Sequence, residues 1–316
     1  MSLSFLVSWG LYAQQLPLYD QYMMNPYILN PAIAGYDGYT TLDLTVRTQW
    51  VGIPNAPNDQ IFSAQTRLLK NKFKIKKGKG KNVMKPGRSG RVGLGGFVFN
   101  DNNGSVSRTG MHFSYAYHLW IGRSQLSFGL GGTAYQFQIK NLDFLEDEPL
   151  VEQGIYEPVF VPDADFGVYY NAVYPNSYYV GFSIKNLLQS YLKLGNRSLE
   201  EFRMYRHYYL MGGYRFEFSN FDLEPSFLAK TSSQLSPQLD INLKAYFMKN
   251  YWIGLSYRTN KTVVALFGVS VKRIYFGYAF DYEFNNIVKH SFGSHEFSIS
   301  VKLGNTSRRF PWLERY

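Results

Sequence analysis

The chain has 316 residues, a formal net charge of +10 and no cysteine, which removes disulfide frameworks and thiolate metal sites from consideration. Aromatic residues make up 18% of it, yet it contains no run of about 20 apolar residues, so it lacks the signature of a helical membrane span. The eight Lys and two Arg between Lys70 and Arg91, with no acid among them, account for the whole charge excess; a uniformly basic nucleic-acid binder is disfavoured.

Residues 1–13 read as the apolar core of a secretory signal, with Leu11-Tyr12-Ala13 as the cleavage site and Gln14 as the first mature residue; the alternative is an apolar first strand. Residues 14–38 are polar and punctuated by Asn25-Pro26 and Asn30-Pro31, each of which holds the chain out of the helical region. Together with Gly35 they mark a segment that is not strand-like. It is expected to lie in the lumen as a plug, or else as a leader packed loosely on the rim.

From about Thr40 onward, every second residue is apolar. Leu42, Leu44 and Val46 alternate with Asp43, Thr45 and Arg47, and the same rhythm runs through Leu239 to Phe247 and through Glu296 to Leu303. A period of two puts alternate side chains on opposite faces of a strand. One oily face and one charged face are what an antiparallel transmembrane β-barrel needs, with lipid outside and a polar interior. Fourteen strands are predicted, at 40–49, 60–69, 91–99, 108–118, 125–136, 163–172, 178–186, 205–216, 220–230, 237–247, 250–258, 262–271, 273–283 and 294–304. The barrel then occupies 39–304 and a tail follows at 305–316.

An even count puts both ends of the barrel on one side, normally the periplasm. Turns at 174–176, 218–220, 249–250 and 272–273 are short, whereas the opposite side takes 138–162, 187–204 and 285–293. That is the usual asymmetry of bacterial barrels. Two connections depart from it: the short outer turn 259–261, and the long inner segment carrying Lys70, Lys72, Lys74, Lys76, Lys77, Lys79, Lys81 and Lys85. The basic segment is either a solvated insertion or a contact for anionic headgroups or a periplasmic partner. Strand parity sends Asp43, Arg47, Arg215, Glu217, Asp222, Glu224, Lys230, Asp240, Lys244, Arg258, Asp281, Glu283, Glu296 and Lys302 inward. Both signs are interspersed, which points to a braced or plugged interior and away from an ion-selective pore.

Signals for chemistry are sparse. The five histidines, His112, His118, His207, His290 and His295, form no i, i+4 pair, and His295 and Glu296 lie on opposite faces of a strand. No serine is singled out as a nucleophile, so the chain reads as non-enzymatic, with no cofactor or metal expected. Gly93-Leu94-Gly95-Gly96 and Gly129-Leu130-Gly131-Gly132 resemble nucleotide-binding glycines only superficially, because neither opens a helix. Inside strands they mark bends or the close approach of another segment to the wall. In the long outer connections Tyr156, Phe160, Tyr191 and Phe202 are candidate aromatic anchors for a protein partner.

Several segments, in order, resemble the PorP/SprF family of type IX secretion system outer-membrane proteins. They are Gln21 to Gly35, centred on Asn30-Pro31-Ala32; Leu223-Glu224-Pro225-Ser226; Ile253 to Arg258; Gly277 to Tyr282; and the closing Gly293-Ser294-His295-Glu296-Phe297. The resemblance implies an integral outer-membrane barrel of Bacteroidota. Its partners would be the C-terminal sorting domains of large secreted proteins such as gliding adhesins, or the periplasmic ring and motor. Rival expectations are a passive solute channel and a structural linker to that ring.

Overall fold

The computed structural model describes residues 19–68, 75–76, 83–84, 91–121, 124–140, 157–172, 177–190, 204–233, 237–248, 250–284 and 291–304. Its strands are β1 (Thr40–Thr48), β2 (Asn58–Leu68), β3 (Ile75–Lys76), β4 (Val83–Met84), β5 (Val92–Asn103), β6 (Val106–Ile121), β7 (Ser124–Ile139) and β8 (Val159–Ala172), followed by β9 (Ser177–Lys185), β10 (His207–Glu217), β11 (Phe221–Ser232), β12 (Gln238–Phe247), β13 (Tyr251–Arg258), β14 (Thr262–Val271), β15 (Ile274–Glu283) and β16 (Ser294–Leu303). Fourteen of them close an antiparallel up-and-down barrel, each next to its neighbour in sequence, while β3 and β4 form a separate two-stranded hairpin within the lysine-rich segment. Closure is made by β1 against β16, in register from Thr40 opposite Leu303 to Thr48 opposite His295. No barrel edge is left to pair with another chain.

Alternation decides which face looks where. In β12, Leu239, Ile241 and Leu243 are exposed while Asp240, Asn242 and Lys244 are buried. In β16, Phe297 and Ile299 are exposed while Glu296, Ser298 and Ser300 are buried. A water-soluble protein sorts these residues the other way round; apolar outside and polar inside is the pattern of a wall facing lipid. Every barrel strand hydrogen-bonds to both neighbours, which satisfies the backbone where no water can.

All fourteen expected spans have a counterpart, but β5 to β8 run further than the apolar rhythm indicates. Apolar alternation stops near Phe99, yet β5 and β6 continue to a tight turn at Gly104-Ser105, with Gly104 at φ 59°. Polar cross-strand contacts carry the extension: the Thr109 hydroxyl donates to the Asn100 side chain at 2.8 Å, and Ser107 to Asn102 at 2.8 Å. A further short connection therefore lies at the long-loop end, in addition to 259–261. The 138–162 connection shrinks likewise to 140–158, because β7 reaches Ile139 and β8 begins at Val159.

Candidate functional site: an occupied lumen and its outer vestibule

Residues 19–39 are not strand, and most of them are buried inside the barrel. Two short 3-10 turns, Pro26–Ile28 and Pro31–Ile33, form where each proline supplies the backbone angle a first helical residue needs. Asn30 closes the second turn by accepting from the Ala32 amide at 2.9 Å. Its amide group then donates to the Val168 carbonyl of β8 at 3.0 Å and the Phe182 carbonyl of β9 at 3.2 Å.

This approach to the wall is possible because the wall there is glycine. A Cβ at Gly167 would fall on the Asn30 side chain, one at Gly129 on the Pro31–Ala32 backbone, and one at Gly93 on the Ala34 carbonyl. Further bonds follow along the segment. Ser183 donates to the Leu29 carbonyl at 2.7 Å, and Tyr27 and Ser114 share a hydroxyl contact at 2.8 Å. His118 reaches the Ala34 carbonyl through Nε2 at 3.0 Å and Ser127 through Nδ1 at 2.7 Å. A carbonyl only accepts, so Nε2 is assigned the proton and Nδ1 accepts from Ser127.

The opposite wall holds the segment by charge. Asp20 meets Arg47 of β1 at 3.0 Å and Arg258 of β13 at 2.6 Å. The backbone amides of Asp20 and Gln21 donate to the two oxygens of Glu296 at 2.5 and 2.9 Å. Arg47 also reaches Asp281 at 3.1 Å, and Arg258 reaches Asp240 at 3.2 Å and Asp281 at 3.4 Å. Burial by itself pushes the Asp20 carboxyl up, but the Arg47 and Arg258 guanidiniums outweigh it and hold it below the ordinary carboxylate range. Tyr22, whose hydroxyl accepts from Asn242 at 2.6 Å, is pushed above the usual phenol value, chiefly by burial.

Above the segment, towards the end where 140–158 and 186–206 leave the barrel, a cavity of about 80 Å³ remains. Tyr19, Ile28 and Leu29 line it from the segment; the barrel contributes Ile61, Phe97, Phe99, Asp101, Arg108, Thr133, Tyr135, Asp165, Lys185, Asn186 and Tyr209. Asp101 is ion-paired with Arg108. Asp165 accepts from the Asn186 amide at 3.2 Å and from Thr133 at 3.4 Å, and lies 3.3 Å from His112.

Asn25, Pro26, Asn30, Pro31 and Gly35 thus all sit in the lumen, with Gly35 at φ 66° against the Thr66 carbonyl. Phe160 is a strand residue rather than a loop residue: it pairs with Gln136 and is 68% exposed on the outer wall, where alternation within β8 places it. Tyr156, Tyr191 and Phe202 lie outside the described residues, as do the side chains of Lys70, Lys72, Lys74, Lys76, Lys77, Lys79, Lys81 and Lys85, although Lys76 contributes backbone to β3. Asp20 went unnoticed in the sequence. Its signal is that it is the single charged residue from 14 to 36, ahead of a lumen holding two inward arginines. His295 faces outward and bonds Tyr278 at 2.7 Å, and His290 lies outside the described residues. Among the described residues no group of three His, Asp or Glu is placed to hold a metal.

A closed fourteen-strand barrel with lipid-facing apolar residues and a lumen occupied by chain defines an outer-membrane β-barrel. The family described as type IX secretion system membrane protein PorP/SprF matches residues 11–301, and the chain belongs to it. It is a type IX secretion barrel of the outer membrane. Among solved structures it is similar to the CymD monoaromatic hydrocarbon channel (14% identity, TM-score 0.48, covering 92% of this chain and 94% of that one). It is also similar to the toluene transporter TbuX of Ralstonia pickettii (12%, 0.46, 90% and 93%). CdiB from Acinetobacter baumannii matches as well (8%, 0.46, 84% of this chain), and there the match spans 60% of the longer protein. No curated protein matches the sequence.

Proposed function

We propose that this barrel is a non-enzymatic anchor of the type IX system, holding an exported surface protein, such as a gliding adhesin, at its outer mouth through that protein's C-terminal sorting domain. The observation that carries this reading is the occupied lumen. Segment 19–39 bonds to β1, β13 and β16 on one side and to β6, β8 and β9 on the other, which suits a platform better than a solute path. The outer connections, including Tyr156, Tyr191 and Phe202, supply the aromatic contacts that dominate protein interfaces.

The test is surface retention. Cells carrying the barrel without 141–156 and 191–203 should shed the exported protein into the medium while the barrel still folds; unchanged retention would remove those loops from the reading. Planar-bilayer recording gives the second arm. The intact barrel should be nearly silent, and removal of 14–38 should raise its conductance. A large steady conductance from the intact barrel would favour the solute channel instead.

A further inference from the structure

The outer vestibule brings buried donors without partners onto one cavity. Its two acids are engaged, Asp101 by Arg108 and Asp165 by the Asn186 amide and Thr133. Lys185 ends on the cavity with no hydrogen bond or ion pair to any described residue; Asp165 is the acid whose charge acts on it, and its ammonium lies 5.5 Å from the centre of the Phe97 ring. Two donors on the cavity are buried without a partner: Tyr19 and Tyr135 are each about 5% exposed, and neither hydroxyl has a partner among the described residues. Buried polar groups left unpaired are costly, so two of them opening on one cavity beside the half-buried Lys185 indicate a partner that arrives later.

The chemistry of that partner follows from the donors. An ammonium and two phenols suit a group that only accepts and carries negative charge, which is a carboxylate. Beside the mutually engaged Asp101, Arg108, Thr133, Asp165 and Asn186, the lining is apolar, from Ile28, Leu29, Ile61, Phe97 and Tyr209, so the carboxylate should ride on an apolar body. About 80 Å³ accommodates one residue, not a folded domain. Access is from the outer end, because Asp101, Arg108 and Lys185 all stand at the outer tips of their strands.

We propose that the vestibule receives the free C-terminal residue of the exported protein, its α-carboxylate held by Lys185, Tyr19 and Tyr135 and its apolar side chain by the aromatic wall. This rests on the anchor reading, and it adds what the anchor grips.

The probes are acetyl-Gly-Gly-Phe with a free carboxylate, the same peptide as its amide, and decanoate, each titrated against the full chain in lipid nanodiscs. The free acid should bind about tenfold more tightly than the amide, the value of one hydrogen-bonded charge. Lys185→Met should abolish that preference, and Tyr135→Phe should reduce it while keeping the heat-modifiable gel shift of a folded barrel. Equal binding of acid and amide overturns the proposal. So does decanoate binding as tightly as the peptide acid, which would make the site a general receptor for apolar acids. In cells, retention that survives both Lys185→Met and Tyr135→Phe overturns the vestibule and leaves the anchor standing; retention that survives loss of the whole barrel overturns the anchor.

Discussion

The two walls that hold segment 19–39 do so by different physics. On the side of β1, β12, β13, β15 and β16, Arg47 and Arg258 bind Asp20 together with Asp240, Asp281 and Glu296, all of them buried. On the side of β5, β7, β8 and β9, the contact is steric: Gly93, Gly129 and Gly167 leave no room for a single extra carbon. A charged wall tolerates small shifts but not the loss of a shared cation. The glycine wall tolerates the loss of a hydrogen bond but not the addition of an atom.

The largest expected effect is on the charged side. Arg47→Met strips one cation from four carboxylates, those of Asp20, Asp59, Asp281 and Glu296. Leaving buried charge without its partner costs about 3–5 kcal/mol. Urea unfolding of the refolded barrel in micelles measures it, and a loss under about 1 kcal/mol would mean the cluster is not held by charge.

Gly129→Val comes next. The new side chain meets the Pro31–Ala32 backbone, and overpacking of this kind costs about 1–3 kcal/mol. The segment should be displaced and conductance should rise, whereas Gly132→Ala, where a Cβ meets nothing within 4 Å, should be neutral. If both behave alike, the close fit is not what positions the segment.

Asn30→Ala removes the cap on Ala32 and both bonds to the wall, for about 1–2 kcal/mol. It should expose 19–39 to protease while the strands stay protected. The smallest change is expected for Asp20→Asn, about 1 kcal/mol, since Arg47 and Arg258 keep Asp240, Asp281 and Glu296 as partners. Because the folded state holds the Asp20 carboxyl below its ordinary value, its contribution is complete above about pH 4 and is lost as pH falls further. Asp20→Asn should remove that acid step from the protease-access profile of 19–39, with access at neutral pH raised to the level the unaltered chain reaches only in acid.

Much of the fold was legible because a wall facing lipid imposes a strict period of two. Asp240, Lys244 and Glu296 sit inward as their parity requires. The outer ends of β5 and β6 were not legible: above the lipid both faces are polar, and Asn100, Ser107 and Thr109 carry no alternation to read. Phe160 was misplaced for a related reason, since Pro162 and Asp163 interrupt the apolar pattern inside β8. Of the site, the Asn-Pro pairs and the strand glycines were visible as local signals. Asp20 was visible only as a lone charge.

The sequence alone therefore determined the number of barrel strands, the face taken by residues within the alternating spans and the absence of strand from the Asn-Pro segment, because each of these depends on neighbours two to five residues apart. Only the tertiary structure decided that Asp20 lies between Arg47 and Arg258, that Asn30 rests against Gly167, and that Lys185, Tyr19 and Tyr135 open on one cavity. Those partners are brought together from distant parts of the chain by closure of the sheet, and no local pattern records where a closed wall will meet the segment inside it.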